Sequence, residues 1–341
     1  MISFKNDYSE GAHKRILNTL VKTNLEQLEG YGNDKYSKVA KDEIKKKIKM
    51  SDLDIHFISG GTQANLTVIS SALRSFESVI SVETGHINVH ETGAIESCGY
   101  KINTCSSEDG KINISIIQDM LDFHEDEHMV KPKMVYISNA TELGTFYTKK
   151  ELKEIYNFCQ NNKLYLFIDG ARLGSAIEAS KNLTLKDIAK YSDVFYIGAT
   201  KNGGLIGEAI VIKNDNLKKN FRYQIKQKGG LLAKGRLLGI QFLELFKDNL
   251  YFDLASKANK SADKLRTGLK DLDCKFLVET KTNQLFPIFS NEIIEKLKDE
   301  FEFHIWEKID NEKKVIRLVT SWATTDEMID NLINKVKTIK G

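Results

Sequence analysis

The sequence predicts an α/β fold, with a mainly parallel sheet in a large three-layer domain and a smaller C-terminal α+β domain after it. Two observations predict it. Between residues 55 and 212, short and nearly unbroken apolar runs alternate with longer amphipathic helical patterns. That alternation is the signature of βαβ crossovers and of strands buried on both faces. After Gly229-Gly230 it stops, and two long helical stretches lead into short strands and helices of a different arrangement.

The strand candidates of the first region are Ile55–Ile58, Val79–Val82, Met134–Ile137, Leu164–Ile168, Val194–Ile197 and Ala209–Ile212. Between them, Gln63–Arg74, Ile114–Phe123, Lys149–Asn161 and Leu185–Tyr191 carry helical periodicity with one polar face, which places helices on both sides of a single sheet. Leu231–Phe246 and Tyr251–Leu272 read as long amphipathic helices with no strand between them. Phe276–Val278, Gln284–Phe289, Phe303–Trp306 and Val315–Leu318, with the helices Asn291–Glu300 and Thr325–Thr338, make up the smaller unit. The expected division is 1–246, including the N-terminal segment, and 247–341. Pro132 and Pro287 are the only prolines, so no proline-rich linker marks the boundary.

Composition excludes several classes. The 341 residues are 41% hydrophobic and 28% charged, an ordinary globular balance that argues against disorder or a fibrous repeat. The 50 basic and 47 acidic residues are interspersed, so no strong field exists to recruit nucleic acid or a membrane surface. Runs such as Lys45-Lys46-Lys47 read as solvated helix faces. Cys98, Cys105, Cys159 and Cys274 have no C-x-x-C spacing and are too sparse for a disulfide framework, so reduced thiols and a cytoplasmic location are expected. The sequence contains neither a targeting signal nor an apolar stretch of membrane-spanning length.

Chemistry concentrates at two strand ends. Asp169-Gly-Ala-Arg172 follows the run Leu164–Ile168, and Lys201 follows Val194–Ile197. In an open parallel sheet the ligand crevice lies outside the carboxyl ends of the strands, where both side chains fall if the two strands are neighbours. An amine that holds an aldehyde as a Schiff base, with a carboxylate that keeps a ring nitrogen protonated, is what pyridoxal 5'-phosphate requires. The plainer readings are a salt bridge from Asp169 to Arg172 and a solvated loop lysine at 201. Taken together and in this order, the residues favour the cofactor.

Three further motifs carry weaker signals. Ser59-Gly-Gly-Thr62 follows an apolar run and opens a helix at Gln63, so it reads as a phosphate cup or as a tight turn with Thr62 as N-cap. No Gly-Lys-Ser/Thr follows, which excludes a Walker loop. His86, after Val79–Val82, is placed to stack on an aromatic cofactor; a surface histidine or, with His90, half of a metal site is the alternative. The order His-x-x-x-His-Glu is not that of a zincin, and no metal is expected there or at His124 and His128. Arg317 interrupts the apolar run Val315–Leu318, which suits either recognition of a carboxylate or outward alternation on an edge strand.

These residues, in this order, resemble the threonine aldolase family of the β-eliminating lyase group of pyridoxal phosphate enzymes. The shared pattern covers Asn6-Asp7, Tyr31-Gly-Asn-Asp34, Gly61-Thr62 with Asn65, His86 with Glu91, Glu142-Leu-Gly-Thr145, Asp169-Gly-Ala-Arg172, Thr200-Lys-Asn-Gly203 with Gly207-Glu208-Ala209, and Arg317-Leu-Val-Thr-Ser321. The resemblance implies an aspartate aminotransferase-like fold, Lys201 tethering the cofactor, Asp169 at the ring nitrogen, His86 stacked on the ring, and Gly61, Thr62 and Gln63 at the phosphate. Arg172, Arg317 and Asn6 would hold the substrate carboxylate, although Asn6 stands where many relatives carry a serine. Thr141 stands close to where some relatives carry a second histidine, which leaves the base at the β-hydroxyl open, with His86 the leading candidate. Relatives are dimers or tetramers with shared sites, so Tyr31, Lys234 and Arg236 would serve a neighbour. The expected reaction is cleavage of threonine, or a related L-β-hydroxy-α-amino acid, to glycine and an aldehyde. The alternatives are β-elimination, racemisation or transamination with the same cofactor, and, more remotely, a non-catalytic dimeric scaffold.

Overall fold

Seven strands form the central sheet of the computed structural model, which describes residues 1–341. From one edge to the other they are Asp54–Ile58, Glu208–Ile212, Val194–Gly198, Tyr165–Asp169, Lys131–Ser138, Glu77–Val82 and Lys101–Cys105. Glu208–Ile212 runs antiparallel to both its neighbours, and every other pairing is parallel. One reversed strand therefore sits in an otherwise parallel sheet, as the apolar runs predict. Side chains alternate between two cores. Leu166, Ile168, Phe195 and Ile197 enter a cluster of 39 buried residues on one face, while Phe167, Val194 and Tyr196 enter one of 18 on the other.

The helices cover both faces, and several begin at side-chain caps visible in the sequence. Thr148 and Glu151 form a capping box at the start of Lys149–Asn161, as Thr184 and Asp187 do for Leu185–Lys190. The sequence reading omits the helices Lys14–Thr23 and Lys35–Ile48 and the edge strand Lys101–Cys105. In Lys35–Ile48 the buried Ser37, Ala40, Ile44 and Ile48 make a narrow stripe among lysines. It packs on the helix Arg236–Lys247, where Gly239 leaves no room for a Cβ against Ser37. That second helix starts five residues later than the expected Leu231, because Leu231–Gly235 is a turn and loop.

The smaller sheet is antiparallel around Lys313–Val319, which pairs with Gln284–Leu285, Pro287–Ser290 and His304–Lys308. Its own core holds Leu265, Leu285, Phe289, Ile316, Leu318 and Ile329. The start of the chain joins it. Ile2–Ser3 pairs with Phe301–Glu302, Val319 donates its N–H to the Phe4 carbonyl at 2.8 Å, and the Phe4 ring is fully buried beside Phe301. Residues 2–4, expected with the larger unit, thus contribute to the core of the smaller one, since that is where an apolar partner for Phe4 lies.

Two glycines set how closely the central strands approach at their carboxyl ends. Gly198 donates its N–H to the Gly170 carbonyl at 3.0 Å. A Cβ on Gly170 would overlap the Tyr196 carbonyl, and one on Gly198 would lie 2.5 Å from the Ala171 carbonyl. This closeness brings the segment after Asp169 against the one leading to Lys201. Gly170→Ala is expected to destabilise the fold by about 1–3 kcal/mol through overpacking. Thermal unfolding would show a lowered midpoint for it and none for Gly11→Ala, where a Cβ meets nothing within 4 Å.

Candidate active site

The carboxyl ends of the central strands and the edge of the smaller sheet enclose a cavity of about 680 Å³. Lys201, Asp169, His86, Arg172 and Arg317, far apart in sequence, all line it, with Tyr8, Glu142, His304 and Trp306. The site begins with Asp169, a last strand residue only 4% exposed. Its Oδ2 accepts from the Tyr136 hydroxyl at 2.5 Å and from Asn65 Nδ2 at 3.3 Å, and its Oδ1 accepts from the Ala171 N–H at 3.0 Å. Arg172 is not among these donors, so the local salt bridge considered from the sequence does not form.

A chain of polar contacts runs from Asp169 to the imidazole of His86. Asn65 Nδ2 also donates to Glu91 Oε1 at 2.7 Å, and the same oxygen lies 2.8 Å from His86 Nδ1. The Glu91 side chain is wholly buried, whereas that of His86 keeps 32% of its surface exposed. Glu91 therefore fixes the ring orientation from behind and leaves the imidazole toward the cavity. Tyr136 is the member of this network without a motif in the sequence; its only signal is a tyrosine inside the apolar run Met134–Ile137.

Lys201 follows the strand Val194–Gly198 on a tight turn. Burial and the nearby Arg172 charge press its amine below the usual lysine range, against the opposing pull of Asp7, Asp169 and Glu208. A lysine so placed offers a larger fraction of neutral, nucleophilic amine. Glu208, also buried, accepts from Thr200 Oγ1 at 3.2 Å through one oxygen and has no partner at the other. Burial drives its pKa up to about 8, with Lys201 opposing and Asp169 adding to the rise.

The two arginines are bound differently. Arg172 is held by both oxygens of Asp7, Nε to Oδ2 at 2.7 Å and Nη2 to Oδ1 at 3.0 Å. Asn283 Nδ2 donates at 2.9 Å both to Asp7 Oδ2 and to the Thr320 carbonyl, which locks the N-terminal segment between the two units. Arg317 faces the cavity and not solvent, with its guanidinium 5.4 Å from the centre of the Trp306 ring. Its Nε is buried without an acceptor. Burial and the neighbouring Arg172 lower its pKa to about 10, which marks a cation short of an anion.

The helix Gly61–Ala72 starts beside this cavity without a side-chain cap; its N-cap is Gly60, not Thr62. Gly61, Thr62 and Gln63 lie outside the cavity lining, but the same helix carries Asn65 to Asp169. Gln63 is fixed by Ser59 Oγ at 2.7 Å and by the Lys228 carbonyl at 2.9 Å. Free N–H groups at such a terminus suit an anion. Asn6 does not reach the cavity: its Oδ1 accepts from the Tyr8 N–H at 2.9 Å and from Ser9 Oγ at 3.0 Å, which closes a local turn. Asp7, the next residue, does not line the cavity either but holds Arg172 from behind. Arg236 is likewise committed, to the carbonyls of Thr23, Asn24 and Glu26 in its own chain.

The Beta-eliminating lyase family matches residues 13–292. A low-specificity L-threonine aldolase from Pseudomonas sp. (strain NCIMB 10558) is 31% identical, over 98% of this chain and 97% of that one. The solved threonine aldolase of Leishmania major superposes with a TM-score of 0.99 at 47% identity, covering 100% of both chains. The histidinol-phosphate aminotransferase of Clostridium acetobutylicum, 14% identical, superposes with a TM-score of 0.76 over 100% of this chain and 99% of that one, which places the fold among the aminotransferase-like folds.

The raised Glu208 carboxyl has a consequence for stability. Between its unfolded value of 4.5 and about 8, the folded chain keeps a proton that the unfolded chain has released, so stability falls as pH rises through that window. Glu208→Gln is expected to flatten this part of the profile, read as the thermal midpoint of the cofactor-free protein from pH 4.5 to 8.

Proposed function

The chain belongs to the Beta-eliminating lyase family, and from that premise we propose a pyridoxal phosphate-dependent aldolase that splits L-threonine and related L-β-hydroxy-α-amino acids into glycine and an aldehyde. The observation that carries the reading is the meeting, in one cavity, of the Lys201 amine and the buried Asp169 carboxylate. The donor set fits the cofactor: an amine of lowered pKa for the aldehyde, a carboxylate for the ring nitrogen, the His86 imidazole for the ring face, and the uncapped start of Gly61–Ala72 for the phosphate. Gly61, Thr62 and Gln63 would supply the last of these.

Pyridoxal phosphate, when bound, supplies a sink for the electrons of the bond that breaks at the substrate α-carbon. The protein decides which bond breaks, by fixing the carboxylate so that the Cα–Cβ bond stands perpendicular to the cofactor plane. Arg317 is the better placed cation for this, because its Nε lacks an acceptor and Trp306 supports the guanidinium plane. Arg172, whose fork is filled by Asp7, adds positive charge beside it. The smaller unit, taken as residues 247–341, contributes His304, Trp306 and Arg317, so its packing against the larger unit closes the site.

We place the protein in the cytoplasm as a homodimer or homotetramer with shared sites. No helix is long and apolar enough to cross a membrane. Leu17 and Val21, four residues apart on the helix Lys14–Thr23, and Leu25 just beyond it expose 42%, 78% and 91% of their surfaces, a stripe suited to a second subunit.

With added cofactor the protein should turn yellow, and borohydride should trap the cofactor on the chain; Lys201→Ala should lose both. Purified enzyme should release acetaldehyde from L-threonine; pyruvate and ammonia from serine, with no acetaldehyde from any threonine isomer, would replace the aldolase by an eliminating lyase. Arg317→Gln should raise KM for threonine at least about thirtyfold, the scale for truncating one partner of a buried charge pair, with the visible spectrum unchanged.

A further inference from the structure

We propose that Glu142 is the general base that takes the proton from the β-hydroxyl of the substrate. This assignment rests on the aldolase reading above and supplies the group that the sequence leaves open. Several carboxyl groups crowd this end of the sheet, and all but one are excluded by their partners or their position. Asp169 accepts hydrogen bonds at both oxygens. Asp7 is gripped by Arg172 and Asn283. Glu91, behind His86, and Glu208 each also have a buried Oε2 without a partner, but neither side chain lines the cavity. Glu83 is exposed at the rim.

Glu142 differs from all of these. It lines the cavity while only 9% exposed. Its Oε1 accepts from the Ser138 hydroxyl at 2.6 Å and from the His86 N–H at 3.0 Å, and its Oε2 is buried without a partner. A buried, unpaired carboxylate oxygen is costly, and one on a residue that lines the same cavity as the Lys201 amine is what a proton acceptor awaiting its donor looks like. Its turn is rigid: Gly144 N donates to the Thr141 carbonyl at 3.0 Å, Gln284 Nε2 donates to that same carbonyl at 3.1 Å, and Thr282 Oγ1 donates to the Gly144 carbonyl at 2.7 Å. Thr141 itself is turned away, with its hydroxyl on Thr145 at 2.7 Å. Burial, reinforced by the charge of Asp169, raises the Glu142 carboxyl above the usual glutamate range, toward the values that suit base catalysis near neutral pH.

The step balances within the substrate and this one side chain. The β-oxygen loses its proton to Glu142, the freed pair becomes the second bond of the aldehyde carbonyl, and the Cα–Cβ pair stays on the α-carbon. Reprotonation of that carbon gives glycine.

Glu142→Gln separates this role from a structural one, because the amide oxygen still accepts from Ser138 and His86. Two rates are measured on holoenzyme: release of acetaldehyde from L-threonine, and exchange of the glycine α-proton in heavy water, which needs Lys201 and the cofactor but no β-hydroxyl base. The expected result is a loss of about 10²–10⁴-fold in cleavage, with exchange and the visible spectrum within a few fold of wild type. Undiminished cleavage would return the role to His86 and overturn the assignment. Equal loss of both rates, or of the spectrum, would make Glu142 structural and overturn it as well. Wild-type enzyme that exchanges glycine but cleaves no β-hydroxy amino acid would remove the aldolase reading itself, and the assignment with it. Ser138→Ala gives an independent check that keeps the carboxyl. The groups that face it are His86, Asp169, Tyr136, Tyr147 and Arg172. Loss of the Ser138 donor should raise the carboxyl further and move the rising limb of cleavage to higher pH; an unmoved limb counts against the proposal.

Discussion

The Asp169 carboxylate, almost fully withdrawn from water at the end of a central strand, governs the electrostatics of this site. Burying such a group is costly unless it is hydrogen-bonded, and three donors converge on it. Its charge then acts on its neighbours through a poorly screened medium. Burial raises Glu142, Glu208, Tyr136 and Tyr196, the Asp169 charge adds to each rise, and it opposes the fall in the Lys201 pKa. One negative group thereby shifts the proton affinity of several neighbours at once.

The position of that group follows from the strands. Leu164–Ile168 and Val194–Ile197 are apolar enough to be read as buried, and both were legible because a doubly covered strand has no polar face to blur it. The glycines that follow them are what allow the two ends to approach. Their role could not be read from the sequence, since the tightness of a strand pairing appears only once the partner backbone is in place.

Other parts of the site were legible as residues but not as pairs. Arg172 was visible, yet its partner is Asp7, 165 positions away, and not the carboxylate three positions before it. Asp169 is oriented by its strand into a pocket of neutral donors, so local spacing misleads. Arg317 could be read as inward or outward with equal ease; Trp306 on the adjacent strand decides it. Glu142 lay within a recognisable stretch, but nothing in that stretch marks out its side chain, and its free oxygen is a property of the assembled cavity. Lys35–Ile48 escapes notice because its narrow buried stripe is diluted by lysines, some exposed and some, such as Lys41, half-buried.

The N-terminal segment has a consequence for how the molecule is made. Asp7 leaves the ribosome well before Asn283, 276 positions later, and the Thr320 carbonyl that Asn283 also holds. Strand pairing at Ile2–Ser3 waits for Phe301–Glu302 in the same way. The central sheet can assemble while translation continues, as domains generally do, whereas the arginine-bearing wall of the pocket gains this anchor only once Asn283 and Thr320 have been made. A nascent chain can therefore hold a formed sheet beside a crevice that is still open on one side.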